Sequence, residues 1–78
     1  MPFPAHEREA LLGVKGVGPT VIARLEQLGF ETLQQLAGAQ TTDVVALASA
    51  MLGSSCWKNS PQARAAIDGA IALARGAG

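Results

Sequence analysis

The chain has 78 residues, enough for one small domain over 1–78 and too few for a second hydrophobic core. Its 6 Lys and Arg balance its 6 Asp and Glu, so the formal net charge of zero gives no sign of charge-driven nucleic-acid binding. Hydrophobic residues make up 49% and charged residues 15%, a composition that excludes an intrinsically disordered chain.

The first two predicted elements are a short helix and a strongly amphipathic helix. One covers 5–12, with acidic residues in its first turn. The next begins at Pro19, whose fixed φ and missing N–H suit a first helical position. Its apolar residues recur at three- and four-residue spacing, at Val21, Ile22, Leu25 and Leu28. If Gly29 takes the left-handed conformation at the helix end, Phe30 can fold back on Leu25.

Two further helices are predicted in the middle of the chain. Thr32 and Gln35 form a capping-box pattern ahead of a short helix over 33–37. Either Thr41 or Thr42 is expected to cap the following helix. The apolar positions expected to supply its core face are Val44, Val45, Leu47, Ala48, Met51 and Leu52.

A last helix follows a predicted loop over 53–59. Ser60 and Pro61 provide an N-cap and a first-turn proline. The buried stripe of this helix is expected to comprise Ala63, Ala66, Ile67, Ala70, Ile71 and Ala74. No segment alternates with the period of two that is typical of a half-buried strand, so the sequence predicts an all-α fold of about five short helices.

The connection between the first two helices is the most informative part of the sequence. Gly16 and Gly18 allow a sharp turn and leave the nearby backbone N–H groups accessible. These groups lie at the start of a helix, where unpaired donors and the positive dipole end attract an anion such as phosphate. Such contacts position a nucleic-acid backbone without reading its sequence. The residues assigned to this candidate site are Lys15, Gly16, Val17, Gly18, Thr20, Arg24 and Lys58.

The core Gly16-Val17-Gly18-Pro19, within about residues 8–28, resembles the helix-hairpin-helix motif of DNA repair, recombination and replication proteins. The continuation over 28–36 is similar to small bacterial stand-alone domains of this superfamily, the pathogenicity-locus or mitomycin-resistance-like proteins, and to the C-terminal domain of the RNA polymerase α subunit. The resemblance implies a compact, SAM-like helical bundle that binds DNA through hairpin amides. It also implies that hairpin carbonyls can hold a monovalent cation; no other cofactor is expected.

The chain departs from the family pattern at four positions near this turn. Members usually have Pro where this chain has Lys15 and Lys where it has Thr20. They usually have Thr where it has Val21 and Ala where it has Ile22. We expect Ile22 to alter the approach of the two helices, and Lys15 is the candidate to supply the phosphate contact that Thr20 lacks.

Plainer explanations of the same features stay open. A Gly-x-Gly-Pro connection also joins helices in domains that bind only protein, so the alternative function is a protein-interaction or oligomerisation module, including a homodimer. Trp57 either stacks on an unpaired base or fills the core. The cations Lys15, Arg24, Lys58 and Arg64 either converge on one face or are scattered over the surface.

The sequence predicts neither catalysis nor a metal site. Cys56 has no neighbouring base and is expected to be a small buried residue. His6 lies at an exposed helix start without further ligands. The lone cysteine, the absence of a leader and the absence of a long apolar run predict a cytoplasmic protein with no membrane partner. We therefore expect a binding module that is not an enzyme and takes no small-molecule substrate.

Overall fold

A computed structural model describes residues 3–53 and 56–77, and this part of the chain forms helices and no strand. The helices are α1 (Ala5–Leu12), α2 (Pro19–Gln27), α3 (Leu33–Ala37), α4 (Thr41–Leu52), α5 (Cys56–Asn59) and α6 (Pro61–Ala77). The all-α prediction is confirmed. The predicted loop over 53–59 is wrong in part, because its last four residues form the short helix α5.

The end of α2 has the predicted left-handed cap. Gly29 has φ +99°, a conformation that glycine adopts without strain because it has no Cβ. Its N–H donates to the Glu26 carbonyl and the Phe30 N–H donates to the Leu25 carbonyl, each at 3.0 Å. These two bonds form a Schellman motif and turn Phe30 back toward the core, against which it packs.

The start of α3 has the predicted cap with one difference. The Gln35 N–H donates to Thr32 Oγ1 at 3.2 Å, but Gln35 Oε1 accepts from the Glu31 N–H rather than from that of Thr32. Glu7 of α1 adds a bond by accepting the Leu33 N–H at 2.8 Å. The first turn of α3 is therefore stabilised both locally and by α1.

The other end of α3 is held by α6. Arg75 Nε donates to the Ala37 carbonyl at 3.1 Å, and its Nη2 donates to the Ala39 carbonyl at 3.2 Å. The Ala37 carbonyl is at the end of α3 and has no partner within the helix, so the guanidinium satisfies it, and it also binds the connection to α4 at Ala39. Arg75 thereby joins two helices that also pack against each other.

The helix starts at α4 and α6 differ in how well they were predicted. Ser60 caps α6 as expected, since its Oγ accepts the Ala63 N–H at 3.2 Å. The expected threonine cap of α4 is wrong: the N-cap is Gln40, whose side chain makes no capping hydrogen bond. Thr41 instead donates its hydroxyl hydrogen to Asp68 of α6.

The outer face of α4 also differs from the prediction. Val44, Val45 and Ala48 are buried as expected, together with Ser49. Leu47, Met51 and Leu52, which were expected to be core positions, are instead 51%, 42% and 40% exposed. Since apolar residues surround most of this helix, their spacing does not show which side faces inward.

α6 is the helix around which the core is built, and it contacts α1, α3, α4 and α5. Its inner stripe agrees with the prediction at Ala66, Ile67, Ala70, Ile71 and Ala74, while Ala63 is only partly buried. The largest fully buried side chains on the other helices are Leu11, Ile22, Leu25, Leu36, Val44 and Val45. Over 3–53 and 56–77, every helix falls short of the length and apolar character that crossing a bilayer requires.

Candidate functional site

The hairpin, defined here as residues 14–18, makes a tight turn between α1 and α2. The Val17 N–H donates to the Val14 carbonyl at 3.0 Å, and Gly16 has φ +87°. A positive φ at the third residue of a hydrogen-bonded four-residue turn is typical of type II, in which that position favours glycine. The exposed Lys15 occupies the second position, where this turn often has proline.

The hairpin and the start of α2 carry N–H groups that the fold does not use. Ile22 is the first residue of α2 whose N–H donates back along the chain, to the Gly18 carbonyl at 3.2 Å. Within the part of the chain that the structure describes, the N–H groups of Gly16, Gly18 and Thr20 have no acceptor. These donors are available to a ligand near the positive end of the α2 dipole.

Val17 does not belong with these donors, although the sequence assigns it to the site. Its N–H is already bonded within the turn, and its side chain is 6% exposed in the core. The residues of the hairpin therefore differ in role: one packs into the core, and its neighbours face outward. Val17 anchors the turn, and Gly16 and Gly18 on either side of it leave their N–H groups free of protein acceptors within 3–53 and 56–77.

The two glycines of the hairpin have different structural requirements. Gly16 needs to be glycine because its φ is positive. Gly18 has φ −120° and ψ −176°, an extended conformation open to any residue, and a Cβ added there would meet nothing within 4 Å. The expectation that both glycines make the turn possible is wrong for Gly18, at which the missing side chain matters only for access to the amides.

The hairpin packs directly against α6. A Cβ added at Gly16 would lie 3.4 Å from the Ala66 Cβ, and a Cβ added at Gly69 would lie 2.7 Å from Val14 Cγ1. Small residues on α6 thus allow the turn to approach the helix closely. This contact was not predicted from the sequence, although a lone glycine inside a helical pattern, as at Gly69, is a signal of close packing.

An open groove of about 880 Å³ lies beside the hairpin. Lys15 and Gly16 line one part, Trp57 of α5 lines another, and α6 contributes Gln62, Ala63 and Ala65. None of the described residues that line the groove is acidic. Trp57 is partly buried, so it packs against the core and also presents surface to the groove.

The other basic residues do not lie in the groove with Lys15. Arg24 follows Thr20 by one helical turn and so shares its face of α2. Its Nη1 donates to Gln27 Oε1 at 2.8 Å, whereas its buried Nε has no acceptor among the described residues. Lys58 and Arg64 line a neighbouring depression that meets the groove at Ala65. The structure thus places Lys15 in the groove and Lys58 outside it.

Cys56 is exposed at the start of α5, so the expectation that it is buried is wrong. No group of three or more His, Cys, Asp or Glu side chains that could hold a metal ion occurs in 3–53 or 56–77. For a monovalent cation at the hairpin, the carbonyls of Val14 and Gly18 each already accept an N–H. Each oxygen keeps one further lone pair for such an ion.

Comparisons with known proteins add no assignment to this geometry. No protein-family model, curated protein or solved structure matches the chain.

Proposed function

We propose that this chain is a helix-hairpin-helix module whose hairpin binds the sugar-phosphate backbone of DNA weakly and without sequence preference. One observation carries the proposal: across the described residues, the N–H groups of Gly16, Gly18 and Thr20 have no acceptor, and they lie at the turn and the start of α2. Phosphate oxygens accept such bonds readily, and the helix dipole favours their negative charge.

Two basic side chains add a small electrostatic attraction for phosphate to these hydrogen bonds. The exposed Lys15 lies within the hairpin, and Arg24 lies one helical turn beyond Thr20 on the same face of α2. Because the chain has no net charge, we expect a Kd at the weak end of non-specific binding, about 10⁻⁴ M. With one or two phosphates neutralised, log K should fall with log salt with a slope of only about −1 to −2.

The test is an amide NMR titration with a short blunt DNA duplex at low salt, repeated at higher salt. We expect shifts that cluster at Gly16, Gly18 and Thr20 and decrease as salt rises, because phosphate contacts release counterions. The Val17 amide, which is bonded inside the turn, provides an internal reference and should move less. Hairpin amides that stay unmoved with both this duplex and a single strand at millimolar DNA would overturn the proposal.

A second candidate function is self-association through α4. Its supporting observation is the exposed apolar surface formed by Leu47 and Met51, which are four residues apart, together with Leu52. Burying such a surface between two copies would also stabilise so small a chain. Sedimentation over a range of concentrations should then show dimers that Leu47→Glu dissociates and Ala46→Glu on the adjacent exposed position weakens less. A chain that sediments as a monomer at every concentration would exclude this function.

A further inference from the structure

The groove beside the hairpin combines two chemical environments. Most of its lining from α6 and the start of the hairpin is apolar, since Val14, Ala63, Ala66 and Gly69 contribute only hydrocarbon side chains or none. Trp57 adds an aromatic ring that lines the groove and is only partly covered by the core. Its volume of about 880 Å³ falls within the range of roughly 300–1,000 Å³ that is typical of small-molecule sites.

The hairpin end of the groove is polar and attracts anions. Lys15 and the Gly16 backbone line it there, and the Gly16 N–H has no acceptor within 3–53 and 56–77. No acidic side chain among the lining residues opposes a negative charge. A ligand that fits both ends therefore has a flat apolar part, which packs on Trp57, joined to an anionic part at Lys15.

We propose that the groove holds an unpaired base of a DNA strand, stacked on Trp57, and that the chain prefers single-stranded DNA to a blunt duplex. The inference rests on the proposed function, since the hairpin supplies the phosphate contact next to the stacked base. A nucleotide has the required combination, a planar ring linked to a phosphate. Its base can enter the groove only when its face is uncovered, because bases inside a duplex stack on each other.

This ligand also agrees with the zero net charge of the chain. Stacking on an aromatic residue is uncharged and changes affinity by roughly 5- to 150-fold per base, so it strengthens binding where cations are few. A duplex presents a denser row of phosphates, for which a surface with more positive charge would be needed. The groove therefore favours a ligand bound through one base and the phosphate beside it.

Trp57 provides a direct optical measurement of this contact. The chain has one Trp and no Tyr, so its intrinsic fluorescence reports on Trp57 alone. Three probes should be titrated at low salt: a single strand of about eight thymidines, which matches the site size of small single-strand binders, an abasic strand of equal length, and a blunt duplex. We expect saturable quenching with the thymidine strand, none with the abasic strand, and weaker binding of both other probes.

The same samples, followed by amide NMR, separate this inference from the proposed function. Equal affinity for the thymidine and abasic strands, with hairpin shifts and no quenching, would overturn base stacking and leave phosphate binding in place. Tighter binding of the blunt duplex would likewise overturn the single-strand preference. Unmoved hairpin amides with all three probes would overturn both proposals.

Two pairs of variants complete the test. Gln62 in the groove and Gln34 on α3 are both exposed and both second residues of their helices, so Gln62→Glu and Gln34→Glu make the same change of charge and shape. At low salt, Gln62→Glu should weaken binding of the thymidine strand by about threefold to fivefold, and Gln34→Glu by much less. Equal effects of the two variants would contradict a site in the groove.

Variants of Trp57 test the stacking itself by NMR-detected affinity. Trp57→Leu removes the aromatic face and should weaken binding of the thymidine strand by at least about fivefold, whereas Trp57→Phe should retain most of it. Binding of the abasic strand should be the same in both variants. Because Trp57 also packs against the core, circular dichroism must show that each variant folds; if Trp57→Leu unfolds, the difference in affinity of the native chain for the thymidine and abasic strands decides whether a base is stacked.

Discussion

Val14 and Gly69 approach each other so closely that no side chain fits between them: a Cβ on residue 69 would lie 2.7 Å from Val14 Cγ1. This contact places the hairpin directly on the last helix. The position of the hairpin therefore depends on Gly69, which is far from it in sequence. A substitution at Gly69 can displace the hairpin although the hairpin's own residues are unchanged.

Replacing Gly69 with Ala should destabilise the fold, although alanine is the better helix former. Overpacking against a stiff valine costs about 1–3 kcal/mol, and the gain in helix propensity offsets about 1 kcal/mol of that. Gly76→Ala on the same helix is the control, since a Cβ there meets nothing within 4 Å. Urea unfolding should give Gly69→Ala a lower free energy of unfolding than the native chain. The free energy of unfolding of Gly76→Ala should be equal to or above the native value. A stable Gly69→Ala protein with unmoved hairpin amides would contradict the close contact.

Gly16→Ala and Gly18→Ala should differ in stability although the two glycines are only two residues apart. The first forces an L-residue into φ +87°, at a cost of about 1–2 kcal/mol. The second meets open space in an extended conformation, where the lower entropy of the unfolded chain and the poorer N-cap roughly cancel, within about 0.5 kcal/mol. Thermal unfolding followed by circular dichroism measures both, and equal losses would show that the turn differs from this description.

Gly18→Asp should stabilise α2 and abolish hairpin binding. A carboxylate at the N-cap accepts the Thr20 or Val21 N–H and interacts with the helix dipole, a gain of about 0.3–1 kcal/mol. The same carboxylate occupies donors that a phosphate would use and repels its charge. We expect a higher melting temperature and no hairpin shifts on DNA titration. Gln34→Glu, which adds one negative charge away from the hairpin, should keep its shifts; unchanged binding by Gly18→Asp would exclude these amides from the contact.

Ser49→Ala should loosen α5. The buried Ser49 Oγ accepts the Lys58 N–H at 3.1 Å, and without it this donor loses its acceptor, at a cost of about 1–2 kcal/mol. Since Lys58 follows Trp57, the tryptophan emission should also move to longer wavelength. Thr42→Ala, an exposed change on the same helix, should stay within about 0.5 kcal/mol of the native chain. Unfolding in urea, followed by both fluorescence and circular dichroism, distinguishes the two variants.

Glu7→Ala should destabilise the start of α3 from a distance. The carboxylate accepts the Leu33 N–H at 2.8 Å across a separation of 26 residues, a partly buried bond worth about 1–2 kcal/mol. Glu9 lies exposed on the same helix, so Glu9→Ala should change stability by no more than about 0.5 kcal/mol. Chemical denaturation of the matched pair gives the difference, and equal stabilities would mean that this bond contributes nothing.

The features that could be predicted from the sequence depend on neighbours in the chain. The caps at Gly29 and Ser60 and the helix starts at Pro19 and Pro61 follow from the conformational preferences of a few adjacent residues. The unused donors at the start of α2 follow in the same way, because the first N–H groups of any helix lack partners within it.

The features that could not be predicted depend on packing between distant segments. Helix α5 has only four residues, too few for a periodic pattern, and Ser49 of α4 helps to hold it. Thr41 is the first residue of α4 rather than its N-cap, and its hydroxyl donates to Asp68, which the packing of α6 brings within reach. The groove forms where the hairpin, α5 and α6 meet, so no single stretch of sequence contains it.

Because α6 packs behind the hairpin, ligand binding at the hairpin should affect hydrogen exchange of the α6 backbone amides. Since Ala66 and Gly69 lie against Gly16 and Val14, the docked α6 supports the form of the turn. A ligand that binds the docked form must therefore reduce the population in which α6 opens, and the α6 amides should exchange more slowly in its presence. By the same linkage, a peptide of residues 8–28 alone would bind more weakly than the whole chain, because it would have to order the turn without α6.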